Sequence, residues 1–187
     1  MPRRYWRARY DLDYFGVYHE PPPPQPEEVH AIGEARQIYP FRYLSNNAGG
    51  TRKSADLPYS YGGGVLMNLR AAEVLLPLLA PWASIQSDVR VDGGPTHVLA
   101  IVNHVYDAMN EVHSIGTQGT KSGIWLSVKD LHLFDNNIGP SPIFRLPSRG
   151  LQWDHVVGEE IFEAIHAHKL TGMALEEAVM TGAIRSK

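Results

Sequence analysis

The residues of this chain that could do chemistry are mainly histidines and carboxylates, and none of their patterns is complete. The chain has nine histidines and no cysteine. His166 and His168 lie two positions apart in a predicted helix, so their side chains point to different sides and cannot bind one ion. Glu111 and His113 would share one face of a strand, but two ligands without a third make a weak metal site. We therefore expect no metal ion and no cofactor.

An enzyme that uses one carboxylate and one imidazole is the alternative that the residues leave open. Asp107 could pair with one of three histidines to form a small hydrolase or transferase. These histidines are His97, His104 and His113. No serine lies in the Gly-x-Ser-x-Gly setting of a nucleophile elbow, and Gly62-Gly63-Gly64 is not followed by the Lys-Ser/Thr of a phosphate-binding loop. We predict no catalytic residue and a protein that is not an enzyme.

Length and composition limit the possible classes. A chain of 187 residues with 43% hydrophobic and 20% charged residues is long enough for one domain with a single core. Its formal net charge of −3 gives no general attraction to phosphate, so we expect no direct contact with nucleic acid. No apolar run approaches the roughly 18 residues of a membrane span, and Asp11 and Asp13 fall where a signal peptide would be apolar. We expect a cytoplasmic protein with no membrane partner.

Strand patterns outnumber helix patterns along the chain. Ile85, Val89 and Val91 indicate a half-exposed strand, whereas the run from Val98 to Val102 is apolar on both faces and is typical of a central strand. Tyr5 to Tyr10 is predicted as an edge strand with solvated arginines. The stretch from Ser45 to Gly64 contains five glycines and is predicted as a long loop. The fold class expected for residues 1–187 is a single α+β domain with a mostly antiparallel sheet and a few packed helices, one of them near the C-terminus.

A first helix is predicted over Leu69 to Leu79. Asn68 is a good N-cap for it, and Pro77 is expected to bend it or end it early. Its predicted apolar face consists of Leu69, Ala72, Leu76 and Leu79.

A second helix is predicted from Gly158 to Leu170. Glu159 and Glu160 in its first turn complement the helix dipole, and Gly172 lies where a left-handed C-cap residue is expected. Its apolar stripe consists of Ile161, Phe162, Ile165 and Leu170.

Several short motifs occur in a recognisable order. The last quarter has Pro142-Ile143-Phe144-Arg145-Leu146-Pro147, then Trp153-Asp154-His155-Val156-Val157, then the second helix. Upstream motifs are Val65-Leu66-Met67-Asn68 with the first helix, Ile85 to Val91, His97 to Asn103 with Asp107, and Leu131-His132-Leu133-Phe134-Asp135. In order and spacing, residues 65 to 180 resemble a large family of bacterial immunity proteins from polymorphic toxin systems, long known as a domain of unknown function.

The resemblance implies a protein that protects a bacterium by binding and neutralising a cognate secreted toxin. Such systems serve competition between bacteria, including delivery of toxins by type VI secretion. The expected toxin acts in the cytosol, for example as a nuclease, and the immunity protein would bind it there. Because such toxins often have basic clefts, an acidic surface would suit the task. The candidate contact residues are Asp135, Trp153, Asp154, Glu159, Glu160 and Glu163. The ordinary interpretation of the glutamates is a solvated helix face, and a further alternative is a regulatory interaction module that uses the proline-rich segment Pro21 to Pro26.

Overall fold

The described part of the chain has short strands and two α-helices, and each of these helices directly follows a buried strand. The computed structural model describes residues 3–11, 13–14, 16–20, 42–45, 53–60, 64–92, 94–119, 125–147 and 155–182. The elements are β1 (Tyr5–Tyr10), β2 (Gly16–Glu20), β3 (Arg42–Ser45), β4 (Tyr59–Ser60), β5 (Gly64–Asn68), α1 (Leu69–Leu79), β6 (Ala83–Arg90), β7 (Thr96–Val102), β8 (Ile115–Gln118), β9 (Trp125–Asp130), β10 (His132–Phe134), β11 (Ile143–Arg145), β12 (His155–Gly158), α2 (Glu159–Ala167), β13 (Met173–Glu177) and β14 (Val179–Thr181).

Most strand pairs are antiparallel. The largest sheet has the order β11-β12-β1-β13, and β7 lies between β5 and β6 in a second sheet. The pair β8 and β9 is also antiparallel, whereas β10 pairs with β14, and β2 with β4, in parallel. The architecture is a single α+β domain with mostly antiparallel sheets and a helix near the C-terminus, which confirms the predicted class. The central place of β7 also agrees with its apolar pattern.

The four-stranded sheet separates two hydrophobic cores. Trp6, Val157 and Ile143 lie opposite one another in the register and belong to the core that also contains both helices. The neighbouring residues in the same strands, including Val156 and Phe144, point to the other face of the sheet. They belong to a second core with Leu131 and Leu133. Both faces of β12 and of most of β1 are therefore buried, whereas β13 is largely exposed.

The prediction that β1 is an edge strand was wrong, and of its two arginines only Arg9 is solvated as predicted. β1 lies between β12 and β13, and Arg7 is only 7% exposed. Its Nη1 donates a hydrogen bond to the carbonyl of Val128 at 2.6 Å. Buried arginines need such acceptors, and the strands that cover β1 come from the last quarter of the chain, where no local pattern could reveal them.

Helix α1 begins and ends as predicted, but its buried face is rotated. The Oδ1 of Asn68 accepts a hydrogen bond from the backbone N–H of Ala71 at 2.8 Å, which caps the helix. Pro77 lies within the helix without ending it early. The buried residues are Ala71, Ala72, Leu75 and Leu79. Leu69, predicted on the apolar face, is 57% exposed.

Helix α2 packs through the predicted stripe but ends earlier than expected. Ile161, Ile165 and Leu170 are buried in one core. The backbone N–H of Leu170 bonds to the carbonyl of Ile165 at 3.0 Å, and that of Lys169 bonds to the carbonyl of His166 at 3.1 Å. With Lys169 at φ +51°, this is a Schellman ending, so Lys169 has the role predicted for Gly172.

The predicted loop from Ser45 to Gly64 contains ordered, buried parts. Tyr59–Ser60 forms β4, and Ala55 and Leu57 are 2% and 1% exposed. The proline-rich segment Pro21 to Pro26 lies outside the described residues. Within the part of the chain that the structure describes, neither helix is long and apolar enough to cross a membrane.

Candidate partner-binding groove

A groove of about 340 Å³ lies beside the N-terminal end of α2. It is bordered by the beginning of β1, by the segment that precedes β11, and by one side of the helix. Its lining residues are Arg3, Arg4, Tyr5, Pro140, Ser141, Pro142, Gly158, Glu159, Glu160 and Glu163. The groove brings the beginning of β1 and the first turns of α2 to one surface.

Short hydrogen bonds hold the lining residues Ser141, Pro142 and Gly158 in place. The backbone N–H of Gly158 donates to the carbonyl of Pro142 at 2.7 Å, immediately before α2 begins. Ser141 is 1% exposed, and its hydroxyl donates to the carbonyl of Ile143. Because this segment is tied to a buried strand, the first turn of α2 has a defined position.

The three glutamates of the groove are exposed and lie on the turns of α2 nearest its N-terminus. Glu159 and Glu160 occupy the first turn and Glu163 the next. Gly158 is the N-cap and offers no side chain to the helix end. Carboxylates in the first turn are stabilised by the helix dipole, so these side chains can stand in solvent without unwinding the helix.

Two arginines, Arg3 and Arg4, also line the groove, and Arg4 is already engaged in an ion pair. Arg4 Nη2 lies 2.8 Å from the Oε1 of Glu177, and the guanidinium lies 5.1 Å from the ring centroid of Trp6. The hydrogen bond to Glu177 raises the pKa of Arg4, with a smaller contribution from the charge of Glu159. The same bond lowers the pKa of Glu177. Since Glu177 balances Arg4, the surface around the groove keeps an excess of negative charge.

The structure brings together only part of the predicted contact set. Glu159, Glu160 and Glu163 line one groove. Asp135 is exposed on a short 3₁₀ turn over Asp135–Asn137, upstream of the segment that borders the groove, and is not among the lining residues. Trp153 and Asp154 lie outside the described residues.

The other end of α2 is held by Asp56, a residue that was not predicted from the sequence. Its carboxylate accepts hydrogen bonds from the Nδ2 of Asn68 at 2.9 Å and the Nη1 of Arg70 at 2.7 Å. It also accepts from both the backbone N–H and the hydroxyl of Thr171, each at 3.0 Å. Arg70 in turn donates through Nη2 to the carbonyl of His168 at 2.6 Å. This network fastens the end of α2 to the beginning of α1.

The pKa of Asp56 reflects two opposing effects. Burial of the carboxyl disfavours its charged form and would raise the pKa. The hydrogen bonds from Asn68, Thr171 and Arg70 favour the charged form, and together they lower the pKa below its ordinary value. The carboxylate is therefore ionised at neutral pH and acts as a structural acceptor.

The histidines and the aspartate of the enzyme alternative occupy separate settings. His97 is buried, with its Nδ1 2.9 Å from the carbonyl of Pro95. His104 contacts Trp82 edge to face, with ring centroids 5.3 Å apart, and the ring of His113 lies 6.1 Å from that of His132.

Asp107 is exposed, and its backbone carbonyl accepts a hydrogen bond from Asn137 Nδ2 at 2.6 Å. None of the hydrogen bonds in the described ranges joins Asp107 to His97, His104 or His113. Within those ranges no three His, Asp or Glu side chains are placed to hold a metal ion.

No model of a known protein family matches the chain, and no curated protein matches it significantly.

Proposed function

We propose that this protein is an immunity protein that binds a cognate bacterial toxin and blocks its active site or its access to substrate. The observation that carries the proposal is the set of three exposed carboxylates, Glu159, Glu160 and Glu163, along one groove. Support also comes from the resemblance of residues 65 to 180 to polymorphic-toxin immunity proteins.

The groove has the physical features that a basic partner surface would need. Its carboxylates are solvent-exposed, which lets them attract a positively charged cleft over a distance and raise the association rate. The helix that carries them is held by buried contacts of Ile161 and Ile165 and by the Asp56 network at its other end. A rigid helix loses little conformational entropy when a partner binds.

In this proposal the partner is a secreted toxin that reaches the cytoplasm of the protected cell, with interbacterial competition as the setting. The protein itself would need no cofactor and no direct contact with nucleic acid or membrane. Asp135 would be a peripheral contact. Trp153 and Asp154 remain predicted contacts.

The experiment begins with the neighbouring gene. A large secreted protein with a toxic C-terminal domain, encoded directly upstream, would supply the toxin for coexpression and copurification. We expect a 1:1 complex with a dissociation constant of about 1 nM or tighter, equivalent to about −12 kcal/mol. Rescue of the cells without a physical complex would contradict the proposal and would favour an enzyme that reverses the damage.

The groove is tested by charge reversal with a matched control. The double variant Glu159→Lys/Glu163→Lys should slow association, and the loss should be larger at low salt than at high salt. The control Glu73→Lys/Glu111→Lys changes the net charge equally at two exposed positions that do not border the groove. Equal effects of the two variants would remove the groove from the interface. Loss of protection in a well-folded Asp107→Asn variant that still binds toxin would support the hydrolase or transferase.

A further inference from the structure

Arg145 is a partly buried cation for which the described part of the chain supplies no carboxylate partner. Its Nε is enclosed and has no hydrogen-bond acceptor. Four other arginines have a described ion pair. Arg4, Arg9 and Arg70 each meet a carboxylate within 3 Å, and Arg90 lies 3.8 Å from Asp88. An enclosed donor without an acceptor costs free energy, and in a native protein such a group needs an explanation, of which a bound ion is one.

The strand register of the four-stranded sheet shows which residues lie beside Arg145. Arg145 lies opposite His155 on β12, and His155 lies opposite Ala8 on β1. On its other side Arg145 forms a parallel bridge with Val105. Side chains of paired residues point to the same face of a sheet, so Val105, Arg145 and His155 form one row.

The backbone at this edge is fully engaged, which holds the row in place. The N–H of Arg145 donates to the carbonyl of His104 at 2.9 Å, and the N–H of Tyr106 donates to the carbonyl of Arg145 at 3.0 Å. Exposure falls along the row, from 47% at Val105 to 7% at His155. Arg145 therefore lies between a solvent-exposed apolar residue and a buried imidazole.

We propose that Arg145 anchors a binding site for an organic carboxylate at the β11 edge of the four-stranded sheet. His155 lies beside Arg145, and Val105 forms the apolar wall of the site. A guanidinium presents parallel N–H donors that match the two oxygens of a carboxylate. Val105 offers its exposed surface to the carbon part of the ligand, which distinguishes an organic acid from an inorganic anion. Burial lowers the pKa of the Arg145 guanidinium, so a bound carboxylate would offset an existing desolvation cost. The site does not depend on the proposed immunity function.

The carboxylate could come from a free organic acid or from an acidic side chain of a partner protein. Sodium benzoate and a capped Gly-Glu-Gly peptide amide represent these two sources, and sodium phosphate represents an inorganic anion. Thermal unfolding is compared at constant ionic strength, with sodium chloride as the reference. A site with a dissociation constant near 10 mM should raise the Tm by about 3 °C at 100 mM benzoate.

Two variants assign the effect to Arg145. Arg145→Met keeps the length of the side chain and removes the enclosed donor, so its Tm in chloride should equal or exceed that of the wild type, and the benzoate shift should disappear. The control Arg9→Met alters an arginine that already pairs with Glu176 at 2.9 Å, and it should keep the benzoate shift. A larger shift with the peptide than with benzoate would assign the site to a partner's acidic side chain.

A direct readout in the wild-type protein covers the case in which Arg145→Met does not fold. The Nε–Hε resonance of Arg145, assigned with Arg145→Lys, should move on titration with benzoate. No Tm shift and no resonance shift would overturn the proposal. A shift that persists in Arg145→Met, or a larger effect of phosphate than of either carboxylate probe, would overturn it equally.

Discussion

The carboxylate of Asp56 receives both the backbone N–H and the hydroxyl of Thr171, at 3.0 Å each, although the two residues are 115 positions apart. The contact is reciprocal, because the N–H of Asp56 donates to the hydroxyl of Thr171 at 3.2 Å. The next residue, Leu57, donates its N–H to the carbonyl of Thr171 at 2.9 Å. A segment from the first third of the chain is thus fixed to the turn that follows α2.

Replacing Asp56 by asparagine should destabilise the protein by about 2 to 4 kcal/mol. The amide would place donors opposite the donors of Thr171 and Asn68, and these groups would be left unsatisfied. Arg70 contributes less, since its side chain is 56% exposed. Urea unfolding measures the change. Asp88→Asn is the control, because Asp88 is 72% exposed and lies 3.8 Å from Arg90; its effect should stay within about 0.5 kcal/mol.

The stabilisation by Asp56 should depend on pH in one direction. Because the folded-state pKa is lowered from 3.8, the contribution is fully present above the unfolded-state pKa and is lost as the pH falls through the folded-state value. The stability difference between the wild type and Asp56→Asn should therefore be constant from pH 7 to about pH 5 and shrink below about pH 4. Urea unfolding of both proteins at several pH values tests this. A difference that grows on acidification would refute the assignment of the low pKa.

Gly172→Ala should lower the free energy of unfolding by about 2 to 4 kcal/mol. Gly172 has a φ of +98°, and a Cβ there would lie 2.4 Å from the Cβ of Ala55 and 2.6 Å from the carbonyl oxygen of Leu57. Strain and steric overlap act together at this position. Gly182→Ala is the matched control, since a Cβ at Gly182 meets nothing within 4 Å. Similar Tm values for the two variants would contradict the close packing of Ala55 against the turn after α2.

Ile161→Ala and Ile165→Ala should each cost roughly 2 to 5 kcal/mol, because both side chains are buried in the core shared by α1 and α2. Glu163→Ala on the same helix should change stability by less than about 0.5 kcal/mol. Differential scanning calorimetry of the three variants separates packing from helix propensity. If all three melted alike, the stripe would not be the packing face of α2.

Local patterns were sufficient to predict the helices and several strands. Asn68 followed by an apolar run predicted the beginning of α1, and the spacing of Ile161, Ile165 and Leu170 predicted the packing face of α2, because both signals lie within a few turns of chain. The exposed positions of Glu159, Glu160 and Glu163 followed from the same periodicity. The periodicity did not predict that these glutamates border a groove together with Arg3 and Arg4.

What the sequence did not reveal depends on contacts between distant segments. Arg7 was predicted to be solvated. Its burial could not be predicted from local sequence, because its acceptor, the carbonyl of Val128, lies 121 positions away. Asp56 stood in a stretch with the composition of a loop, and its partners Asn68 and Thr171 come from other elements. Lys169 ends α2 in a left-handed conformation that glycine usually adopts. Because glycine is the favoured residue type for this conformation, the C-cap was predicted at Gly172, three positions beyond Lys169.

The position of β1 between β12 and β13 also sets an order of events during synthesis. β1 leaves the ribosome well before its partners, residues 155–158 and 173–177, are made. Until then the apolar side chains of Tyr5 and Trp6 and the backbone edges of β1 lack their native cover. Folds closed by pairings of such long sequence separation form slowly and expose aggregation-prone surface meanwhile. The sheet between the two cores can therefore close only after residues 173–177 have been synthesised.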